Sequence, residues 1–162
     1  MKPVNLKELS DAFETISDDD TYRGFVDKRD GQIYWFEGRH LAIAGFYLDG
    51  DDYEVYPAEQ DEIDAAKAFT DRYDRELVVR LPGKYELRDY DIMEQFAEEQ
   101  PDPRIANQLL NAIRGKGAFR KFREAVTRLQ FLDDWYRYRD NAVLERARRW
   151  CEENEIAYDE KK

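Results

Sequence analysis

The residues best suited to chemistry lie in two stretches, Arg114-Gly-Lys-Gly-Ala-Phe-Arg-Lys-Phe122 and Trp135-Tyr-Arg-Tyr-Arg-Asp140. In the first, Gly115 and Gly117 interrupt a helical pattern, and Arg114, Lys116 and Arg120 stand around the break. Backbone N–H groups opening the Phe119 helix, the positive end of its dipole and these cations would together attract a phosphate or a carboxylate. The anion-binding candidates are therefore Arg114, Lys116, Gly117, Arg120 and Arg139. The spacing is neither that of a P-loop nor that of a dinucleotide-binding turn, and no Ser or Thr stands ready to hold a metal. The alternative is a tight inter-helix turn in which glycine permits left-handed φ and close packing.

Asp140 falls four residues after Tyr136 and three before Val143, on the apolar stripe of the last helical pattern, where a lone carboxylate is costly. A structural ion pair with Arg120, or with Arg114, answers that cost, because a guanidinium meets a carboxylate in two-pronged geometry. His40 is the sole histidine and Cys151 the sole cysteine, which leaves no conventional zinc set. The serines, Ser10 and Ser17, lie in or beside the first helical pattern, and Cys151 lies on an apolar stripe where an inert thiol is the usual outcome. Asp18-Asp-Asp20 and Asp49-Gly-Asp-Asp52 lack calcium-loop spacing and read as solvated turns. No catalytic residue, metal site or cofactor is assigned.

Charge is divided along the chain. Residues 1–103 carry 12 Lys and Arg against 27 Asp and Glu, residues 104–149 carry 12 against 5, and the whole chain has a net charge of −11. Either the basic part faces an external anion or it docks on the acidic part of its own chain. Arginine interleaved with aromatics from Trp135 to Arg139, beside Arg120, Lys121 and Arg123, has the composition of a nucleic-acid-binding face. The overall negative charge weighs against a polyanion. The expected function is a non-enzymatic binding or regulatory module. It would act on a protein partner or small anionic ligand through the basic helical face, or on a basic protein through the acidic N-terminal lobe. Nucleic-acid binding and a hydrolase using Asp or Glu are the alternatives.

The elements that must position these residues follow from periodicity. Leu6, Leu9, Ala12, Phe13 and Ile16 form a helical stripe capped by Asn5. Two β-rich runs joined through Lys28-Arg-Asp-Gly31 predict a hairpin, and Leu41 to Tyr56 suggests a second around Asp49-Gly-Asp-Asp52. A helix is expected from about Glu59, a β-run from Leu77 to Leu81 ended by Pro82-Gly83, and a helix through Tyr90 to Ala97. Asp102-Pro103 opens another helix, and two more stripes follow: Phe119, Phe122, Ala125, Val126 and Leu129, then Tyr136, Val143, Leu144, Ala147, Trp150 and Cys151. Strands first and helices second predict an α+β fold, a small antiparallel sheet in the N-terminal half packed on a C-terminal helical bundle. One domain over residues 1–162 is expected, with an acidic lobe at 1–83 and a helical lobe at 84–156 that is basic from 104.

Hydrophobic residues at 42% and aromatics at 14% supply a core, while 39% charged residues dictate a polar surface. No apolar window is long enough to span a bilayer, no secretory signal pattern opens the chain, and a single cysteine fits a reducing compartment. A cytoplasmic protein without membrane partners is expected.

As a set, Arg80-Leu-Pro-Gly-Lys-Tyr85, Asp91-Ile-Met-Glu-Gln-Phe96, Arg114 to Phe122, Trp135 to Asp140 and Trp150-Cys-Glu-Glu-Asn154 resemble the bacterial hypothetical proteins grouped as uncharacterised protein family 0158. The resemblance covers Asp61 to Ile156 well and the N-terminal helix and hairpin in outline, with no counterpart placed for Leu41 to Tyr56. It implies a shared helical core and supplies no catalytic residue.

Overall fold

The computed structural model describes residues 1–16, 21–46, 59–83 and 89–160. By its contacts the chain divides into two compact units, Met1–Lys84 with Ala147–Lys162, and Tyr85–Arg146. The architecture is α+β, with a three-stranded antiparallel sheet in the N-terminal half and helices in the C-terminal half.

In the first unit, β1 (Val4–Asn5) leads directly into α1 (Leu6–Thr15). The Asn5 Oδ1 accepts the Glu8 backbone N–H at 2.9 Å, satisfying a donor that the helix leaves open, and Leu6, Leu9, Ala12 and Phe13 turn inward as their spacing requires. The hairpin of β2 (Tyr22–Asp27) and β3 (Gln32–Glu37) turns at Gly31, whose φ of +69° and close approach to Pro3 demand glycine. A Cβ there would lie 2.4 Å from the Pro3 carbonyl oxygen.

Leu41 to Ile43, expected to begin a second hairpin, instead belongs to α2 (Gly38–Ile43). The short apolar run carries no period that separates strand from buried helix, and Leu41 and Ala42 are buried in helical form. The expected Asp49-Gly-Asp-Asp52 turn and the Asp18-Asp-Asp20 cluster lie outside the described residues. Helix α3 (Gln60–Arg72) starts from a capping box of Glu59 and Glu62, and β4 (Val78–Arg80) completes the sheet in the order β3-β2-β4.

Phe25, Leu41, Phe69 and Val78 form one core cluster of this unit, with Phe36, Phe46 and Tyr73 packed around them. The Phe25 and Phe69 ring centroids are 5.3 Å apart, and Phe36 meets Phe69 edge-on at 5.0 Å. The two ends of the chain meet where β5 (Tyr158–Asp159) pairs in parallel with β1, a contact that no local sequence signal announces.

The second unit holds α4 (Asp89–Glu98), α5 (Pro103–Ala112), α6 (Ala118–Arg128) and the N-terminal part of α7 (Leu132–Glu153). Asp102 caps α5 through the Arg104 N–H at 2.9 Å, with proline at the first position, as the sequence predicts. Phe96, Phe122 and Trp135 interlock edge-to-face, the last two with centroids 4.7 Å apart. No helix among the described residues is long and apolar enough to cross a membrane.

Candidate functional site

Gly115 and Gly117 adopt φ of +77° and +74°, the left-handed conformation that closes a tight turn between helices. Gly117 is the N-cap of α6 and offers no side-chain cap, and Arg114 and Lys116 stand exposed in the turn. Arg120 folds back over the turn, its Nη2 3.9 Å from where a Gly117 Cβ would sit.

Beyond the turn, α6 has two unlike sides. Phe122, Ala125 and Val126 are buried, as the stripe predicts, but Phe119 is 58% exposed. It shares their side by period yet stands in the first turn of the helix and remains exposed there. Together with Ile92, Met93, Trp135 and Tyr136 it lines a recess of about 170 Å³, with Phe122 also in the wall and Asp89, Arg123 and Arg139 as its charged members. Outward along α6, Arg120, Arg123, Glu124, Thr127 and Arg128 line a shallow open groove, so Arg123 belongs to both depressions. Among the described residues no ion pair engages Arg114, Lys116, Arg120, Lys121, Arg123 or Arg128.

The structure corrects the phase of α7. Trp135, Val143, Ala147 and Cys151 are buried at intervals of four or eight, which puts Arg139 on the inward stripe and leaves Tyr136 37% exposed. Asp140, one residue round the helix from Arg139, is exposed, and no ion pair joins it to Arg120 or Arg114. The predicted structural ion pair is thus absent for a physical reason: a solvated carboxylate needs no partner. Of the anion-binding candidates, Arg139 reaches the recess and Arg120 the groove, while Arg114, Lys116 and Gly117 remain in the turn.

Sequence reasoning overlooked a second charged cluster, in the first unit. Asp27 is fully buried at the end of β2 and receives a two-pronged bond from Arg29, Nε to Oδ1 at 2.9 Å and Nη2 to Oδ2 at 2.8 Å. The Arg29 backbone N–H adds a third bond at 2.9 Å, and Arg72 of α3 donates through Nη1 at 2.9 Å. Arg72 also lies 3.9 Å over the Tyr34 ring, and the Tyr34 hydroxyl donates to Asp30 at 2.5 Å. The Arg29 side chain first, then its backbone N–H and Arg72, hold the Asp27 carboxyl down at about 2 against the opposing pull of burial. The signal was the turn itself, Asp27-Lys-Arg-Asp-Gly31, in which an acid and a base two apart straddle a hairpin end.

Elsewhere, Arg39 bonds Glu62 between α2 and α3, and His40 Nε2 lies 3.5 Å from Glu37. Cys151 is buried, and burial pushes its thiol up to about 12, which keeps it protonated and un-nucleophilic near neutrality. No group of three or more His, Cys, Asp or Glu among the described residues is placed to hold a metal.

Residues 43–162 match the sequence profile described as Uncharacterised protein family (UPF0158). The chain belongs to UPF0158. The UPF0158 span is wider than Asp61 to Ile156 and takes in nearly all of Leu41 to Tyr56, whereas α1 and the hairpin lie outside it. It contains the whole of the recess and the groove, and it includes Arg72 but not Asp27 or Arg29. The UPF0158 protein PA5073 of Pseudomonas aeruginosa is 32% identical over 66 residues, 40% of this chain and 43% of that protein, so the match spans less than half the relative's length. No solved structure matches.

Proposed function

We propose that this UPF0158 protein is a binding module rather than an enzyme, and that its helical unit takes an anionic ligand or partner at the face of α6. One observation carries the reading: an exposed aromatic, Phe119, rims an apolar recess whose wall is continued by Arg123 into an arginine-lined groove. A recess of this kind offers apolar burial and charge in one place, the usual make-up of a small-molecule site. The charge is local. Residues 114–128 carry six Lys and Arg against Glu124 alone.

The basic face is favoured over the acidic lobe because several acids of the first unit are already engaged, Asp27 and Asp30 with Arg72, Glu62 with Arg39 and Glu160 with Arg148. Binding is favoured over hydrolysis for a related reason: the one fully buried carboxylate among the described residues, Asp27, is clamped by arginine, and the one thiol is held protonated. A reducing, cytoplasmic setting belongs to the same proposal, since the lone Cys151 is buried as a thiol.

Fluorescence titration with an aromatic sulfonate dye tests the reading. Saturable binding is expected, weakened about tenfold in Arg123→Glu and in Phe119→Ala, as loss of one charge-assisted or stacking contact implies. Equal dye affinity in native protein and both variants would remove the recess as a ligand site.

A further inference from the structure

Resting on that reading, we propose that the anion is single-stranded nucleic acid, its phosphates following the arginine groove of α6 and one base stacked on Phe119 at the mouth of the recess. Three observations point to this class above an acidic peptide or a simple anion. First, every cation lining the two depressions is arginine, although Lys116 and Lys121 lie close by in the sequence. A guanidinium meets phosphate in a fixed, two-pronged geometry that an ammonium cannot offer.

Second, the arginines form a row with length. Arg120, Arg123 and Arg128 lie on one groove of the same helix, and the eight-residue interval from first to last spans about 12 Å at the rise of an α-helix. That is room for about three nucleotides at the ~3.4 Å rise of a stacked strand. Third, the row ends at aromatic surface. Phe119 is 58% exposed and Tyr136 37%, and both line the recess that Arg123 joins to the groove. Every base has a π-face, so such a platform accepts a strand whatever its sequence. A duplex keeps its bases stacked on one another and has none to give. Charge complementarity is local, with Glu124 the sole acid in the row. The net −11 of the chain, which weighs against a polyanion when the sequence is read whole, is concentrated in residues 1–103.

Fluorescence anisotropy of the full chain with a labelled twelve-nucleotide oligo(dT), across a salt series, tests the inference. Three phosphate contacts predict a slope of log K against log salt of about −2. Phe119→Ala, at an exposed position, is expected to keep its thermal melt and weaken binding about 5- to 100-fold with the slope unchanged, since stacking releases no counterions. Phe119→Trp restores the affinity. Arg120→Ala and Arg128→Ala each reduce the slope by about 0.7, and Glu124→Gln tightens binding.

A polyglutamate peptide and the matching duplex serve as parallel ligands. Binding of polyglutamate or duplex as tightly as oligo(dT), with no effect of Phe119→Ala, overturns the nucleic-acid inference but leaves an anion-binding face in place. If no oligonucleotide binds at low salt while the sulfonate dye still binds in an Arg123-dependent way, the inference falls alone. Absence of both kinds of binding overturns it together with the reading beneath it.

Discussion

Around Asp27, Arg29 and Arg72 close on one fully buried carboxylate, whereas along α6 three guanidiniums stand beside the exposed Glu124 and form no ion pair among the described residues. The two regions use the same residue types with opposite outcomes because burial differs. Asp27 has lost its water and must be compensated by hydrogen bonds, which fixes the hairpin end against α3. The α6 arginines keep their water, cost nothing to leave unpaired and stay available to an anion arriving from outside. The contrast teaches that a buried acid obliges arginine to pair with it, whereas beside the exposed Glu124 nothing obliges the arginines to pair.

The largest effect expected is within α6 itself. Phe122→Ala, at a buried ring, is expected to cost about 4 kcal/mol in denaturant unfolding, while Phe119→Ala three residues earlier stays within about 0.5 kcal/mol. Comparable losses at both positions would erase the distinction between the helix's packed and open sides.

Next comes the clamp. Asp27→Ala removes the acceptor that Arg29 and Arg72 share and is expected to cost about 3 kcal/mol at neutral pH. The folded-state pKa is depressed to about 2 from 3.8, so its contribution is present above pH 4 and is lost as pH falls through 2. About 2 kcal/mol of the gap between native and variant should therefore close over that window, as seen by urea midpoints at successive pH values. A gap that held constant down to pH 2 would show that the pair is not coupled to folding.

The smallest effect sharpens the other side. Asp140→Ala is expected to change the thermal midpoint hardly at all, within about 0.5 kcal/mol, because the carboxylate is solvated. Had it been buried and paired, the loss would be about 3 kcal/mol.

Much of the fold was legible because its signals are local. Asn5 and Asp102 cap their helices, a helix starts near Glu59, Gly31 turns the hairpin, and Gly115 and Gly117 end one helix and begin the next. The candidate site was legible only in part. The basic stretch and its aromatics were visible, and Arg120 and Arg139 do line depressions. Asp140 was misplaced because a stripe counted from Tyr136 and one counted from Trp135 differ by a single residue, about 100° of rotation, and composition alone cannot choose between them. Leu41 to Ile43 was misread because a short apolar run fits a strand or a helix equally well.

By itself the sequence determined the helical segments other than α2, the caps of α1 and α5, and where charge accumulates, since these depend on residues within a few positions of one another. Only the tertiary structure decided which charges are neutralised and which remain open. Arg72 reaches Asp27 across 45 positions, Val4 pairs with Tyr158 from the far end of the chain, and Phe119 is left exposed while Phe122, three residues on, is buried. Burial depends on what distant parts of the chain bring to a residue, and that is settled by packing as well as by the residue's neighbours in sequence.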